Sequence, residues 1–342
     1  MSLINANLML QHADRHGYAI GAFDLVSLEF LNGILKAAED KHSPVILLIA
    51  EVHFKYVDIE QITPAIEHMA SKSSVPVVLG LDHGETIETV VRAIRCGFSS
   101  VMFDGSKLPF EENVRQTSLA VQIAHSVGVS VEAELGRVGG AEGSDQLAVA
   151  HEEFFTDPKQ AEEFVRRTGV DALAIAIGNA HGLYKGTPKL DFERLEAIKK
   201  LVPVPIVLHG GSGISDDDFR RAVKLGISKV NFFTEMSREA VVKVRRMLEE
   251  NPNIIGLQDL MLGATETIEK VVADRIDVFG SAGICDRFSD LCAACGSCSF
   301  AAASASVPAS VPASAPLNEE RLVELVAEVV AQTLKARSSC TC

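Results

Sequence analysis

Eight short apolar runs, separated by amphipathic stretches, constrain the fold of this chain more than any other feature. Each run is almost continuously apolar, which is typical of parallel strands that are buried on both faces. The runs are residues 18–25, 44–50, 76–83, 99–106, 129–136, 171–180, 205–213 and 228–235. Helical periodicity marks the intervening segments 28–41, 87–97, 113–128, 158–169, 192–201 and 216–226. Several of these segments end in glycine, as helices commonly do before a strand.

Eight strands that alternate with helices over about 250 residues predict a (β/α)8 TIM barrel. An open, doubly wound sheet is the alternative fold. Such sheets usually have fewer strands and often carry a glycine fingerprint after the first strand, and none follows residues 18–25. The chain has 342 residues, of which 47% are hydrophobic, so it can bury the core of one large α/β domain.

Charge and hydropathy exclude some classes of partner. A formal net charge of -14 argues against nucleic acid or an anionic membrane surface, because such partners select for a basic face. The N-terminal segment lacks the long apolar core of a signal peptide, and no run approaches the roughly 18 apolar residues of a membrane span. We therefore expect a soluble, cytoplasmic protein.

The C-terminal part of the chain differs in composition from the rest. Six of the seven cysteines follow residue 284, and Cys96 is the exception. We expect a barrel over residues 1–283, a Cys-rich segment over 284–300, an Ala/Ser/Pro linker over 301–317 and an amphipathic helix over 318–337.

Polar residues collect at the predicted carboxyl ends of the strands, where TIM barrels place their reactive groups. They include Asp82, His83, Asp104, Glu132, Glu134, Asn179, His181, His209, Ser212, Asn231 and Thr234. Three neutral imidazoles, from His83, His181 and His209, suit a zinc site with an open coordination position, which can polarise a carbonyl. The glycines of HGGSG, residues 209–213, let backbone N–H groups approach a phosphate closely. Together these features predict a phosphorylated substrate whose carbonyl binds a metal.

Each of these signals has a plainer interpretation when it is taken alone. Asp82 and His83 could simply form a turn at the end of a strand. HGGSG could be an ordinary glycine-rich connection between a strand and a helix, and Asp104 could cap the next helix. Three histidines at three separate strand ends, on the same rim as a glycine turn, favour the functional interpretation.

Six motifs, in order along the chain, resemble those of the class II metal-dependent fructose-bisphosphate and tagatose-bisphosphate aldolases. They are LDHG, VMFDGSKLPFEENV, VSVEAELGRVGGAE, AIGNAHGLYKGTPKLDFERL, VLHGGSGI and KVNFFTE. The resemblance covers roughly residues 1–283. It implies a (β/α)8 barrel, bound zinc and a homodimer or homotetramer. It also implies reversible cleavage of a ketose 1,6-bisphosphate, through a metal-stabilised enediolate, to dihydroxyacetone phosphate and an aldehyde phosphate.

The resemblance also implies roles for individual residues. The implied zinc ligands are His83, His181 and His209, with Asp104 and Glu134 helping to hold the metal region. Asp82 is implied to accept the C4 hydroxyl proton, and Glu142 to handle the proton at C3. The positions implied to bind substrate or phosphate are Gly182, Lys185, Gly210, Gly211, Ser212, Asn231 and Thr234. A monovalent cation, Na⁺ or K⁺, lies nearby in many members.

Three places depart from the pattern of the resemblance. Asp24 stands where relatives commonly have Asn, Ala50 and Glu51 stand where Ser or Thr is common, and Phe233 replaces a small or polar residue. Aldol cleavage is therefore a firmer expectation than the sugar, and another phosphorylated ketose or a keto acid is an alternative substrate. A metal hydrolase, or a degraded barrel that serves as a microcompartment assembly component, are further alternatives. The glycine loop that carries Glu142 argues against the hydrolase.

Two features of the tail suggest further partners. The spacing of Cys285, Cys292, Cys295 and Cys298 fits zinc or an iron–sulfur cluster, with unpaired thiols as the alternative. The helix over 318–337 has an apolar face and follows a linker. It resembles the encapsulation peptides that direct enzymes into bacterial microcompartments by binding a shell protein. The alternative is a helix that docks on its own barrel or on a neighbouring subunit.

Overall fold

The structure is a computed structural model. It describes residues 3–140, 147–148, 150–184, 186 and 188–287, together with residues 323, 327 and 331. Its strands, in chain order, are β1 (Ile20–Asp24), β2 (Val45–Ala50), β3 (Val77–Gly84), β4 (Ser100–Phe103), β5 (Ser130–Leu135), β6 (Leu147–Ala148), β7 (Ala172–Ile175), β8 (Leu183–Tyr184), β9 (Ile206–Leu208) and β10 (Ile227–Phe232). Eight of them close into a parallel barrel in the order β1–β2–β3–β4–β5–β7–β9–β10, with β10 pairing to β1. The predicted (β/α)8 barrel is confirmed.

Helices alternate with the barrel strands and cover the outside of the sheet. They are α1 (Ala6–His16), α2 (Leu28–Asp40), α3 (Ile59–Lys72), α4 (Ile87–Arg95), α5 (Phe110–His125), α6 (Pro158–Thr168), α7 (Phe192–Leu201), α8 (Asp216–Lys224), α9 (Thr234–Glu250), α10 (Leu257–Phe279) and α11 (Ile284–Arg287). Of these helices, α1, α3, α9, α10 and α11 were not predicted from the sequence. Among the described residues, no helix is both long enough and apolar enough to cross a membrane.

The predicted eighth strand, residues 228–235, extends too far. The strand ends at Phe232, and Thr234 begins α9. Phe233 leaves the extended conformation with φ of -137° and ψ of -60°, and the N–H of Glu235 donates to Ser212 Oγ at 3.0 Å. Thr234 and Glu235 therefore belong to the first turn of a helix rather than to the barrel wall.

The amino-terminal half of the barrel interior is filled by small and branched apolar side chains. They are Ile20, Ala22, Ile46, Leu48, Val78, Ala172, Ala174 and Val207, all buried in one cluster. Met9 and Leu10 of α1 belong to the same cluster, so α1 packs against this end of the barrel. A larger apolar cluster lies between the strands and the surrounding helices.

The chain after the barrel is described at few positions. Cys285 lies in α11, and its backbone N–H donates to the carbonyl of His42 at 3.0 Å. Val323, Ala327 and Ala331 are helical, and Val323 packs against the larger apolar cluster. The predicted linker over 301–317 lies outside the described residues.

Candidate active site

The end of β3 carries two consecutive polar residues, Asp82 and His83. Neighbouring residues on a regular strand point to opposite faces, so they would not normally serve one site. The β3–β4 register shifts between Leu81 and Gly84, and His83 has a φ of 45°, in the left-handed region. A bulge of this kind re-aims a side chain, and strain of this kind is common at functional sites. It accounts for how both residues reach the same rim.

Three imidazole rings meet above the end of β3. The ring centroid of His83 is 4.7 Å from those of both His181 and His209, which are 5.8 Å from each other. His181 comes from the loop after β7, and His209 follows β9. One ligand atom from each histidine and one from Glu134 all lie within 4.8 Å of one another. The structure therefore brings together the three histidines that the sequence analysis selected.

His83 is oriented by a carboxylate at the end of β4. Its Nδ1 lies 2.8 Å from Asp104 Oδ2, and Asp104 Oδ1 accepts the backbone N–H of Ser106. Burial raises the pKa of Asp104, but the hydrogen bond to His83 outweighs burial and lowers that pKa well below its usual range. Because Nδ1 is engaged, Nε2 is the nitrogen of His83 that faces the other histidines, 3.0 Å from His209 Nδ1.

His209 is held from its other side. Its Nε2 lies 2.8 Å from Glu132 Oε1, and Glu132 Oε2 accepts the ammonium of Lys229 at 2.7 Å. Burial lowers the pKa of His209 more than Glu132 raises it, so the imidazole is neutral, the form that binds metals. Burial raises the pKa of Glu132, but Lys229 and His209 outweigh it and lower that pKa, so Glu132 stays ionised.

Glu134, on β5, provides a test of whether a cation fits this cluster. One oxygen accepts the N–H of Val138 at 3.1 Å, while Oε2 makes no hydrogen bond to any described residue and lies 3.5 Å from His209 Nδ1. Burial, reinforced by the charge of Asp104, raises the pKa of Glu134 to about 8. A divalent cation bound here would lower the pKa of Glu134 again, and Oε2 would be available to coordinate it. Three imidazole nitrogens and one carboxylate fit zinc well.

Asp82 is fully buried at the same rim. The Asn231 side chain donates to Asp82 Oδ1 at 2.8 Å, and Asp82 Oδ2 lies 3.8 Å from His83 Nε2. Asn231 is on β10 and Asp82 is on β3, so this hydrogen bond spans the barrel mouth. A carboxylate placed in this way is positioned to exchange a proton with a group bound beside the histidines.

The turn after β9 needs glycine for two reasons. Gly210 has a φ of 63°, and a Cβ there would lie 2.2 Å from the carbonyl oxygen of Ala180. The Tyr184 hydroxyl donates to the carbonyl of Gly210 and accepts the N–H of Ala180, which ties this turn to the loop after β7. Gly211 and Ser212 follow in the same turn, and Ser212 Oγ accepts the N–H of Glu235 at 3.0 Å, which joins this turn to the start of α9.

Some predicted site residues lie elsewhere or outside the described chain. Gly182 and Thr234 are at the rim, in the loop after β7 and at the start of α9. Glu142 and Lys185 lie outside the described residues, as do Cys292, Cys295 and Cys298. Cys285 bonds through its backbone to His42, before β2, and is therefore at the opposite end of the barrel from the histidines.

The three departures noted in the sequence fall into two groups. Glu51 accepts the N–H of Glu85 at 2.7 Å and the hydroxyl of Thr89 at 2.8 Å, so its side chain holds the loop that follows His83. Asp24 and Phe233 directly follow Phe23 and Phe232, the last paired residues of the β1–β10 register. Both are buried with His53, whose ring lies 4.6 Å from Phe233 and whose Nδ1 lies 4.0 Å from Asp24 Oδ1.

Glu132 is among the polar residues predicted at the rim but had no predicted role, and Lys229 and Tyr184 were not predicted as site residues. The available signals were a Glu-x-Glu alternation on β5, which points both acids inward, and a lysine within the apolar run of β10. Neither signal predicts that Lys229 pairs with Glu132.

A model of the family described as fructose-bisphosphate aldolase class-II matches residues 4–284. The chain belongs to the class II fructose-bisphosphate aldolase family. It is therefore an aldolase-type lyase, and the rim described above is the candidate metal site of a class II aldolase.

Solved structures agree with this assignment. The YdjI aldolase from Escherichia coli K12 is 37% identical with a TM-score of 0.74, over 82% of this chain and 99% of that one. A putative fructose-1,6-biphosphate aldolase from Coccidioides immitis is 32% identical with a TM-score of 0.73, over 82% and 97%. A fructose-bisphosphate aldolase from Campylobacter jejuni, 24% identical with a TM-score of 0.71 over 82% and 96%, shows the shared fold.

Proposed function

We propose that this class II aldolase is zinc-dependent and cleaves a ketose 1,6-bisphosphate of the fructose or tagatose type. The products are dihydroxyacetone phosphate and an aldehyde phosphate, and the reaction is reversible. The observation that carries the proposal is the convergence of His83, His181, His209 and Glu134 within 4.8 Å, beside the buried carboxylate of Asp82. A different phosphorylated ketose or a keto acid is the second candidate substrate, because Asp24 and Phe233 depart from the family pattern.

The residues that would hold the zinc are His83, His181 and His209, with Glu134 or Asp104 as further acids of the metal region. When bound, zinc supplies Lewis acidity that withdraws electron density from the substrate carbonyl. A monovalent cation, Na⁺ or K⁺, is proposed near the phosphate.

Asp82 is the proposed acceptor of the C4 hydroxyl proton. As the proton leaves, the oxygen lone pair forms the aldehyde carbonyl at C4, and the C3–C4 bond breaks. Its electrons remain on the three-carbon half as an enediolate. The hydrogen bond from Asn231 to Asp82 Oδ1 fixes the carboxylate, so Oδ2 is the oxygen presented toward His83.

Two other groups complete the proposed reaction. Glu142 delivers the proton that converts the enediolate to dihydroxyacetone phosphate. Backbone N–H groups of the turn after β9 and of the start of α9 bind the phosphate of this half, because a glycine-rich turn and a helix N-terminus both favour a bound anion. The positions are Gly182, Lys185, Gly210, Gly211, Ser212, Asn231 and Thr234.

The function is tested with a panel of phosphorylated ketoses, comparing kcat/KM with and without a chelator. We expect cleavage that is abolished by the chelator and restored by zinc. Phosphate release without carbon–carbon cleavage would support the hydrolase instead. Bound zinc without cleavage of any ketose phosphate would support a degraded barrel and overturn the proposal.

Assembly and location are proposed from the family and the tail. We propose a homodimer or homotetramer, which sedimentation measures directly.

We also propose cytoplasmic expression with delivery to a microcompartment shell through residues 318–337. The core contact of Val323 favours the alternative, docking on its own barrel. Full-length protein and a chain without 318–337, each fused to a fluorescent protein, should differ in a shell-producing host; equal, diffuse signals would contradict delivery.

A further inference from the structure

Two overlapping groups of side chains at the rim have the composition of a metal site. One is the set of His83, His181, His209 and Glu134, and the other joins His209 to Asp82 and Glu132. Both need His209, whose two ring nitrogens face in different directions. What decides between the groups is how His209 is held.

Glu132 has both of its oxygens occupied. Oε1 lies 2.8 Å from His209 Nε2, and Oε2 accepts the Lys229 ammonium at 2.7 Å. Asp82 Oδ1 is likewise occupied by the Asn231 amide. A cation in the second group would have to displace Lys229, which already neutralises Glu132.

All three members of the Lys229–Glu132–His209 chain are buried, with exposed fractions of 4%, 5% and 0%. Lys229 is on β10, Glu132 is on β5 and His209 directly follows β9, so the folded barrel brings together three positions that are far apart in the sequence. A buried ion pair rarely adds stability over apolar residues of similar volume, because both charges lose their hydration. Its presence at inward positions next to a metal-type cluster therefore points to a role in the site.

We propose that Lys229 and Glu132 are positioning residues for the metal centre. Lys229 holds Glu132, which accepts the Nε2–H of His209, so the lone pair of Nδ1 points at His83 Nε2 and the open site. The pair thus selects the first group and keeps a cation out of the second. This inference rests on the proposed metal centre, and carboxylates that hold metal-binding histidines commonly tune the affinity of such sites.

The first measurement is the tautomer of His209 in metal-free, full-length protein. Selective ¹⁵N labelling of histidine identifies the protonated ring nitrogen, and His209→Asn assigns the signals. We expect a hydrogen on Nε2 and none on Nδ1. A hydrogen on Nδ1 would overturn the inference, and this result needs neither a variant that folds nor a bound metal.

The second measurement is metal affinity, with cobalt(II) as the probe. Its visible spectrum separates nitrogen and oxygen ligands from thiolates, so binding by the tail cysteines is recognised. Lys229→Met and Glu132→Gln should each weaken cobalt binding at the histidine site by about 10- to 100-fold. The double variant Glu132→Gln/Lys229→Met removes both charges, so it should fold even where one unpaired buried charge does not.

Lys199→Met is the matched control. Lys199 pairs with Asp14, on α7 and α1, away from the metal cluster. Its loss should leave cobalt affinity unchanged. Folded Lys229 and Glu132 variants with wild-type affinity would overturn the inference while leaving the aldolase proposal intact. A wild-type chain that binds no metal and cleaves nothing would instead reject the proposed function.

Discussion

The two halves of the barrel interior are built by the same strands but from opposite kinds of residue. The amino-terminal half holds Ala, Val, Leu and Ile side chains that pack together with α1. The carboxyl-terminal half holds buried acids, a lysine and a neutral histidine that are linked by hydrogen bonds. One set of strands thus supports both a packed core and a reactive centre, because inward positions recur every second residue along each strand.

The difference shows where the molecule gives up stability for function. An apolar interior residue contributes by leaving water, whereas a buried charge contributes only if a partner offsets its lost hydration. Lys229 is such a partner for Glu132, and His83 is such a partner for Asp104. We therefore expect substitutions in the amino-terminal half of the barrel interior to change the stability of the fold. Substitutions in the carboxyl-terminal half should change catalysis or metal binding.

The largest expected effect is on catalysis, from Asp82→Asn. The amide keeps the shape of the carboxylate and can still accept from Asn231, but it cannot take a proton. We expect kcat for ketose phosphate cleavage to fall about 10²- to 10⁴-fold, the usual contribution of a general base. Cobalt affinity and Tm should stay near the wild-type values. A kcat within tenfold of wild type would contradict the proposed role of Asp82. Asp14→Asn, which lies away from the rim, is the control and should leave kcat unchanged.

The next effect is on stability, from Ile46→Ala in the amino-terminal half. Ile46 is 1% exposed within the apolar cluster. Its truncation leaves a cavity and should lower the free energy of unfolding by about 2–5 kcal/mol, against roughly 1 kcal/mol for Ile46→Val. Denaturant unfolding measures both. The kcat of the folded enzyme should be unchanged, and a large loss of kcat in Ile46→Ala would mean that the two halves are not separable.

A smaller effect is expected on substrate choice, from Asp24→Asn. Asp24 is buried at the end of β1, beside Phe233 and His53. We expect a negative charge at this end of β1 to weaken the binding of a second phosphate, so its removal should raise the kcat/KM of a ketose 1,6-bisphosphate relative to a ketose 1-phosphate. A change on the order of tenfold corresponds to one like-charge interaction in a partly screened site. Glu162→Gln, on an exposed part of α6, is the control. An unchanged ratio of the two kcat/KM values in folded Asp24→Asn would mean that Asp24 does not affect substrate choice.

The smallest effect concerns the pH dependence of stability at the amino-terminal end. His125 Nε2 lies 2.8 Å from Asp171 Oδ2, and this hydrogen bond raises the pKa of His125 in the folded protein. A raised pKa stabilises the fold fully below the unfolded value near 6.5 and loses that contribution as pH rises through the folded value. Because His125 is 41% exposed, the contribution should be below about 1 kcal/mol.

Unfolding of the wild type and His125→Gln at a series of pH values measures this contribution. The difference in stability should be largest at the acid end of the series and vanish toward alkaline pH. The opposite slope would contradict the assignment.

Much of this architecture could be predicted from the sequence. Nearly continuous apolar runs and glycine-ended amphipathic segments predicted eight parallel strands, because burial on both faces leaves that pattern in any chain. Polar residues at the ends of those runs predicted that His83, His181 and His209 would converge, since the carboxyl ends of parallel strands share one rim. The exact end of β10 could not be predicted, because Thr234 and Glu235 turn into α9 through a contact with Ser212.

The sequence by itself therefore determined the barrel, its polar rim and the family. Only the tertiary structure decided how the charges pair. Lys229 and Glu132 are 97 positions apart, and nothing local to either predicts the other. The bulge that turns His83 inward, and the attachment of Glu51 to the loop after it, likewise depend on neighbouring strands. The physical reason is that hydrophobic periodicity is a local property of the chain, whereas the neutralisation of a buried charge depends on which side chains barrel closure places within hydrogen-bond distance.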